Sequence, residues 1–390
     1  MVAGDCRLMD TAVYEVNLYI DGQLVGDCRR IAENLTYTRR RTKIGADSID
    51  FVVNDVVFNR WCEERHVNIM MLLKPMALEC RITRNGVEVV GGFLATMPSY
   101  SPLQASADLS LHFDGFLNLL AGVYIRDTST NLPMGTVTGD AGSLVSSMIQ
   151  FANDVSGDAG KSYGFMAGDI DTMVSITHTF DNYKTVKDWI CDRCDNTTGA
   201  GAFDVYFHAD KTYDIKSDDN FGDVINDWVA NYPTIPNAPS ATSIMANEIG
   251  GFASAVIGIG SGEISANTNE NTAVLAMTSN AEKIYEYGYF ETIYQDSSIG
   301  TRSVLEKNIG AKLENDSNPI WQPQITLHGK QVAPKPTGTH KIWVGDTITI
   351  NNEADLTGMT NGKFRVNELS VEIKAEGDEL ITPVLERVNE

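Results

Sequence analysis

The run Arg81-Ile82-Thr83-Arg84-Asn85-Gly86-Val87-Glu88-Val89-Val90 decides how the chain is read. Asn-Gly between two strand-like segments is the strongest short signal for a type I′ turn, because both central residues of that turn need positive φ. A β-hairpin is expected here, with Leu78, Cys80 and Ile82 alternating along its first strand. Upstream, Tyr14, Val16, Leu18 and Ile20 alternate with Glu15, Asn17 and Tyr19, and Asp21-Gly22 supplies a second tight turn before Leu24. Ile49, Phe51 and Val53 repeat the pattern, a short helix is predicted at 56–64, and Leu109, Leu111 and Phe113 form a further strand. Asp114 stands where it can cap a short helix carrying Phe116, Leu117, Leu119 and Leu120. Residues 1–115 therefore read as a small antiparallel β-barrel domain.

Composition then changes. Residues 126–142 are rich in Thr, Ser, Gly and Asn and read as an exposed connection. Helical spacing follows in Leu144, Val145, Met148, Ile149 and Ala152, with Asp140 or Ser143 as cap, and again in Val186, Trp189, Ile190 and Cys194. Strands are predicted at 174–180 and 203–207, the latter turning through His208 to Lys211 into Tyr213 and Ile215. Residues 116–250 are thus an α+β middle domain. Beyond them, strands are predicted at 252–259 and 283–294, separated by a polar loop at 261–271. A helix at 301–315 aligns Leu305, Ile309 and Leu313, and strand patterns close the chain at 325–327, 344–350, 364–373 and 380–385. Apolar parity shifts at Glu368-Leu369, which predicts a β-bulge or bend. Residues 251–390 read as a second β-barrel domain with one helix. The fold class is α+β, mainly antiparallel β, with two small β-barrels flanking the α+β middle region. No 20–50-residue repeat is visible, which excludes solenoids and propellers.

Charge narrows the function classes. Fifty-two acidic against 30 basic residues give a net charge of −22, which opposes attraction to a phosphate backbone, so no specific nucleic-acid binding is expected. No apolar stretch has the ~18–20 residues that a membrane-spanning helix needs. Asp5, Arg7 and Asp10 interrupt the first eleven residues, so folding in the cytoplasm where the chain is made is expected. Six cysteines are too dispersed for a disulfide scaffold.

Chemistry-bearing motifs are sparse. Cys191 and Cys194 have a CxxC spacing, but structural zinc needs four ligands and no second CxxC exists; His178 and His208 are conceivable additions. Because Cys194 continues an apolar helix face, core thiols are expected and no metal or cofactor is assigned. Gly258, Gly260 and Gly262 lie where a strand rather than a βαβ phosphate loop is predicted. Asp218-Asp219-Asn220-Phe221-Gly222-Asp223 lacks the full calcium-loop register and reads as a solvated turn. Six dispersed histidines form no HExxH pair, and no catalytic residue is identified, so the chain is not expected to be an enzyme. The aromatic cluster at Tyr285, Tyr287, Tyr289, Phe290 and Tyr294 reads as barrel packing. Arg39, Arg40 and Arg41 with Lys43 form the densest basic run, either a guarded strand edge or an anchor for a neighbouring subunit.

The opening segments Tyr14-Glu-Val-Asn-Leu-Tyr-Ile-Asp-Gly and Leu35-Thr-Tyr-Thr-Arg-Arg-Arg resemble the N-terminal barrel of tail hub proteins of long-tailed bacteriophages. So do Arg84-Asn-Gly-Val-Glu-Val-Val-Gly-Gly-Phe and Phe113-Asp-Gly-Phe-Leu-Asn-Leu-Leu. Trp343-Val-Gly-Asp-Thr-Ile-Thr-Ile and Arg365-Val-Asn-Glu-Leu-Ser-Val-Glu-Ile resemble the C-terminal barrel of the same family, in the same order. The resemblance implies a structural homotrimer at the tail tip or baseplate of a virion, a ring that adapts a sixfold tail tube to a threefold tip. It further implies a distal tail or tail-tube protein, a tape-measure protein and tail-tip or fibre proteins as partners, with assembly in the host cytoplasm. The rival readings are an adhesive carbohydrate-binding β-protein and a tail-associated cell-wall hydrolase, the latter without a visible catalytic constellation. The loops at 126–142 and 261–271 are candidate partner contacts.

Overall fold

The computed structural model describes residues 12–388 apart from 99–106, 173–174, 181, 197–202, 218–220, 234–238, 250–251, 263–271, 298, 318–319, 330, 336–339, 354–359 and 375–376. Both expected hairpins form. Asp21 and Gly22 join strands Tyr14–Ile20 and Gln23–Asp27 at φ 48° and 76°; Asn85 and Gly86 join Leu78–Arg84 and Val87–Leu94 at φ 51° and 78°. These are the left-handed values that a type I′ turn requires.

The strands do not close into two separate barrels. Among the described residues they form one open, 13-stranded sheet running from Ala241–Ile249 to Gln23–Asp27. The cause is strand Glu33–Arg40. One of its edges pairs with Ser48–Asn54, and the other takes the C-terminal strand Gly362–Ile373, in register from Leu35 opposite Ile373 to Arg40 opposite Glu368. The N-terminal strands therefore satisfy their free edge with the end of the chain rather than with each other. One buried core follows the sheet across this seam, with Leu35, Tyr37, Phe51 and Phe113 on one side and Phe364, Val366, Leu369 and Val371 on the other. The predicted bulge is present as a register shift between Val366 and Glu368 against strand Glu379–Arg387.

A second core belongs to the middle region. Helix Ala141–Asp158 begins at Asp140, whose carboxylate accepts from the Ser143 amide, and buries Val145, Met148, Ile149 and Ala152. Helix Val186–Asn196 packs Val186, Trp189, Ile190 and Cys194 into the same cluster. Two expectations change here. The 126–142 connection contains strand Gly135–Asp140, paired antiparallel with Ser175–Phe180, so its Thr-rich alternation was a ladder rather than a loop. Asp114 does not cap the turn Phe116–Gly122, which starts from Gly115 without a side-chain cap because Asp114 is still in its strand.

A third, small core is formed by the segment that lies in sequence between strands Ala241–Ile249 and Ile320–His328, which pair with each other. Strand Ala255–Ile259 is central there, flanked by Leu275–Ser279 and Glu291–Gln295, and helix Arg302–Asp316 covers one face with Leu305, Ile309 and Leu313. The strand predicted over 283–294 is instead helix Ala281–Tyr287 followed by strand Glu291–Gln295. Asn280 accounts for the difference, since its side chain accepts from the Glu282 and Lys283 amides and nucleates the helix. Tyr285 is consequently 95% exposed and packs in no barrel, while Tyr294 is half-buried against the small core. Among the described residues no helix is long and apolar enough to cross a membrane.

On the outer surface of the large sheet, His112 sits between two carboxylates, Nδ1 at 2.6 Å from Asp50 and Nε2 at 3.2 Å from Asp114. Partial burial of the ring disfavours its charged form, but the two carboxylates outweigh that and hold its pKa above the ordinary value. A raised folded-state pKa contributes stability that is fully present below the unfolded value of about 6.5 and is lost as pH rises through the folded value. His112→Asn is therefore expected to destabilise the protein at pH 6 and to have little effect at pH 9, measured by urea unfolding at both. An equal loss at both would show that the charge contributes nothing.

Candidate functional site

The basic run sits where the three parts of the chain meet. Strand Glu33–Arg40 is central in the sheet, and the chain leaves it at Arg41 toward strand Phe203–Phe207 of the middle region. Arg39 is almost fully buried. Its guanidinium pairs with Asp47 at 2.9 Å, donates to the Phe207 carbonyl at 2.9 Å and lies 4.4 Å from the Tyr206 ring centroid. The Trp343 ring flanks it at 5.6 Å. Arg41 is equally buried and donates from Nε to Asp204 at 2.7 Å, while the Thr42 amide donates to the other Asp204 oxygen at 3.1 Å. The Thr42 hydroxyl donates to the Val205 carbonyl. Arg40 points the other way, pairing with Glu368 across the seam at 2.7 Å and donating to the Ala46 carbonyl at 2.8 Å. Lys43 completes the set at 2.7 Å from Glu386.

Electrostatics follow from this burial. Desolvation raises the Asp47 carboxyl above its usual range, although Arg39 opposes it. Burial also acts to raise Glu386, but Lys43 and Asn367 outweigh it and hold that carboxyl low. Charges taken this far from water persist only when paired and hydrogen-bonded. Arg39 and Arg41 thus fasten the middle region to the sheet, and Arg40 is the most exposed of the three, at 27%. Asp204, the partner that matters most to Arg41, has a sequence signal in retrospect, being a lone acid inside the apolar strand Phe203-Asp-Val-Tyr-Phe207.

A cleft of about 390 Å³ opens beside the junction, walled by Tyr206, Phe221 and Trp343 and carrying His208, Asp214 and Lys335. His208 lies 2.9 Å from Asp214, and Lys335 bridges Asp223 at 2.6 Å and Asp346 at 2.8 Å. The charged groups named in this wall are thus held by partners of opposite charge.

The other motifs fall elsewhere. Cys191 and Cys194 are both free thiols on helix Val186–Asn196. Burial pushes the Cys191 thiol up to about 11 and Cys194 well above its ordinary value, so both favour the protonated form. His178 packs against the Phe180 and Trp189 rings, 4.5 Å and 6.1 Å away, and His208 belongs to the cleft. No group of three potential metal ligands occurs among the described residues. Gly258 serves packing, since a Cβ there would fall 2.6 Å from Ile309 of the covering helix. Residues 218–220 of the acidic turn and most of the 261–271 loop lie outside the described residues.

No family model matches the chain, and no curated protein matches it in sequence. Solved structures do. A 43 kDa tail protein of prophage MuSo2 from Shewanella oneidensis superposes with a TM-score of 0.60 at 12% identity, covering 95% of this chain and 98% of that one. A tail protein from Neisseria meningitidis MC58 does so with a TM-score of 0.60 at 11% identity, over 96% of each chain. The prophage tail protein gp18 from Listeria monocytogenes EGD-e matches with a TM-score of 0.52 at 9% identity, over 96% of this chain and 95% of that one. At these identities the likeness is one of architecture, end to end. The chain has the fold of prophage tail proteins.

Proposed function

We propose that the chain is the structural hub of a phage tail tip or baseplate, working by assembly rather than catalysis. Three copies form a ring that adapts a sixfold tail tube to a threefold tip and surrounds the channel used by DNA and the tape-measure protein. The observation that carries this reading is the tail-protein fold, matched over 95% of the chain without a large unmatched segment. The sequence order of the hub-like segments on both sides of the seam supports it, because three copies of two sheet-rich halves offer six faces to a sixfold neighbour. A net charge of −22 suits a channel wall from which DNA must slide free. The partners are a distal tail or tail-tube protein, the tape-measure protein and tip or fibre proteins, and the location is the virion.

Imaging of purified tails, with native mass of the chain alone, tests the reading. Three copies around an axial channel at the tail tip are expected. A chain absent from tails that binds glycans as a monomer would replace the hub with an adhesin.

A further inference from the structure

Two exposed apolar patches of opposite charge character lie on different parts of the chain. The first is the outer face of the small sheet. Its inner face, with Val256 and Gly258, meets helix Arg302–Asp316, yet the outer face is apolar as well: Met277, Ile257 and Ile293 form one row across three strands, and Leu275 and Ile259 adjoin it. Met277 is 54% exposed and Ile293 62%. A sheet whose second face meets water is normally polar there. Its rim is net acidic, with Glu291 on the same face and Glu282 and Glu286 exposed on the helix that precedes it in sequence, where Lys283 pairs with Glu286 at 3.2 Å. The second patch lies in sequence between helix Asp55–Glu64 and strand Leu78–Arg84. Met70 and Met71, on helix Ile69–Leu72, are 62% and 71% exposed, and Met76 is 51% exposed. The exposed Lys74 among them is the only charged residue between Val67 and Leu78. Flexible, polarisable methionine side chains suit a surface that moulds to a partner.

We propose that these patches are the two halves of one interface between copies of this chain, the methionine patch of one copy seated on the acidic-rimmed sheet face of the next. Charge selects this arrangement. A twofold contact would set Glu291 against Glu291 in a molecule already at −22, whereas Lys74 meets the acidic rim only when unlike patches pair. Unlike patches make a head-to-tail contact, the kind that builds a ring when the rotation between copies closes. The inference rests on the ring reading above and names its contact surface.

The test uses Met71→Cys and Met277→Cys, singly and together, under mild oxidation in the free chain and in assembled tails, with native mass measured in parallel. The double variant is expected to give disulfide-linked dimers and trimers, and a mixture of the two single variants is expected to give dimers that neither gives alone. Lys74→Glu is expected to weaken association at least tenfold at low salt, and adding Glu291→Lys to restore most of it. Trimers by mass with no cross-link and no charge rescue would overturn the interface while leaving the ring intact. Monomers in the free chain together with no ring in tails would overturn the ring, and the interface with it.

Discussion

Replacing Asp204 with alanine is expected to destabilise the protein by about 3–5 kcal/mol, the usual cost of leaving one member of a buried ion pair uncompensated. The carboxylate is fully buried and accepts from Arg41 at 2.7 Å and from the Thr42 amide at 3.1 Å. Its loss takes from the Arg41 guanidinium the carboxylate that it meets at 2.7 Å, beside the Phe221 ring. Urea unfolding of Asp204→Ala measures the effect. The double variant Arg41→Met with Asp204→Leu is expected to recover most of the loss, because an apolar pair of similar volume removes both desolvation costs. A single-variant loss below about 1 kcal/mol, the range of a solvated pair, would mean that the junction is open to water.

Glu379→Ala is expected to cost a similar amount, about 3–5 kcal/mol, through a different part of the sheet. Glu379 starts the last strand and takes Arg84 Nε at 2.7 Å and Nη2 at 2.9 Å, a bidentate pair. The Tyr14 hydroxyl donates to the same carboxylate, and burial with the adjacent acidic groups holds that hydroxyl protonated well above its usual range. Removing the carboxylate therefore takes a buried acceptor from a guanidinium and a phenol together. Glu379→Gln keeps an acceptor for Tyr14 and is expected to lose less than the alanine variant. Equal losses from the two would assign the effect to the charge that both variants remove rather than to packing or to the acceptor that glutamine keeps.

Local pattern made the elements legible. Asn85-Gly86 and Asp21-Gly22 specify their turns through φ alone, and Leu305, Ile309 and Leu313 specify their helix through spacing four. The 283–294 segment misled because its aromatic residues mimic a strand while Asn280, outside the window, caps a helix. What no local pattern carried was the seam. Strand Glu33–Arg40 alternates in the same way whether its second edge faces its own barrel or Gly362–Ile373, more than 300 residues away. The basic run was legible as unusual, but its destination depended on Asp47, Asp204 and Glu368, which only the fold brings together.

That same seam sets an order of events during synthesis. Strand Glu33–Arg40 leaves the ribosome with its partner Ser48–Asn54 close behind, but the segment Gly362–Ile373 emerges more than 300 residues later. At roughly 5–20 residues per second the unpaired edge waits on the order of tens of seconds. Contacts of such sequence separation are also the slowest to form once the chain is complete. During that interval a nascent chain exposes a sheet edge and the apolar side chains of Leu35 and Tyr37, and neighbouring ribosomes on one message carry identical edges. Yield in recombinant production should therefore depend more on translation rate and chaperone supply than on the stability of the finished protein.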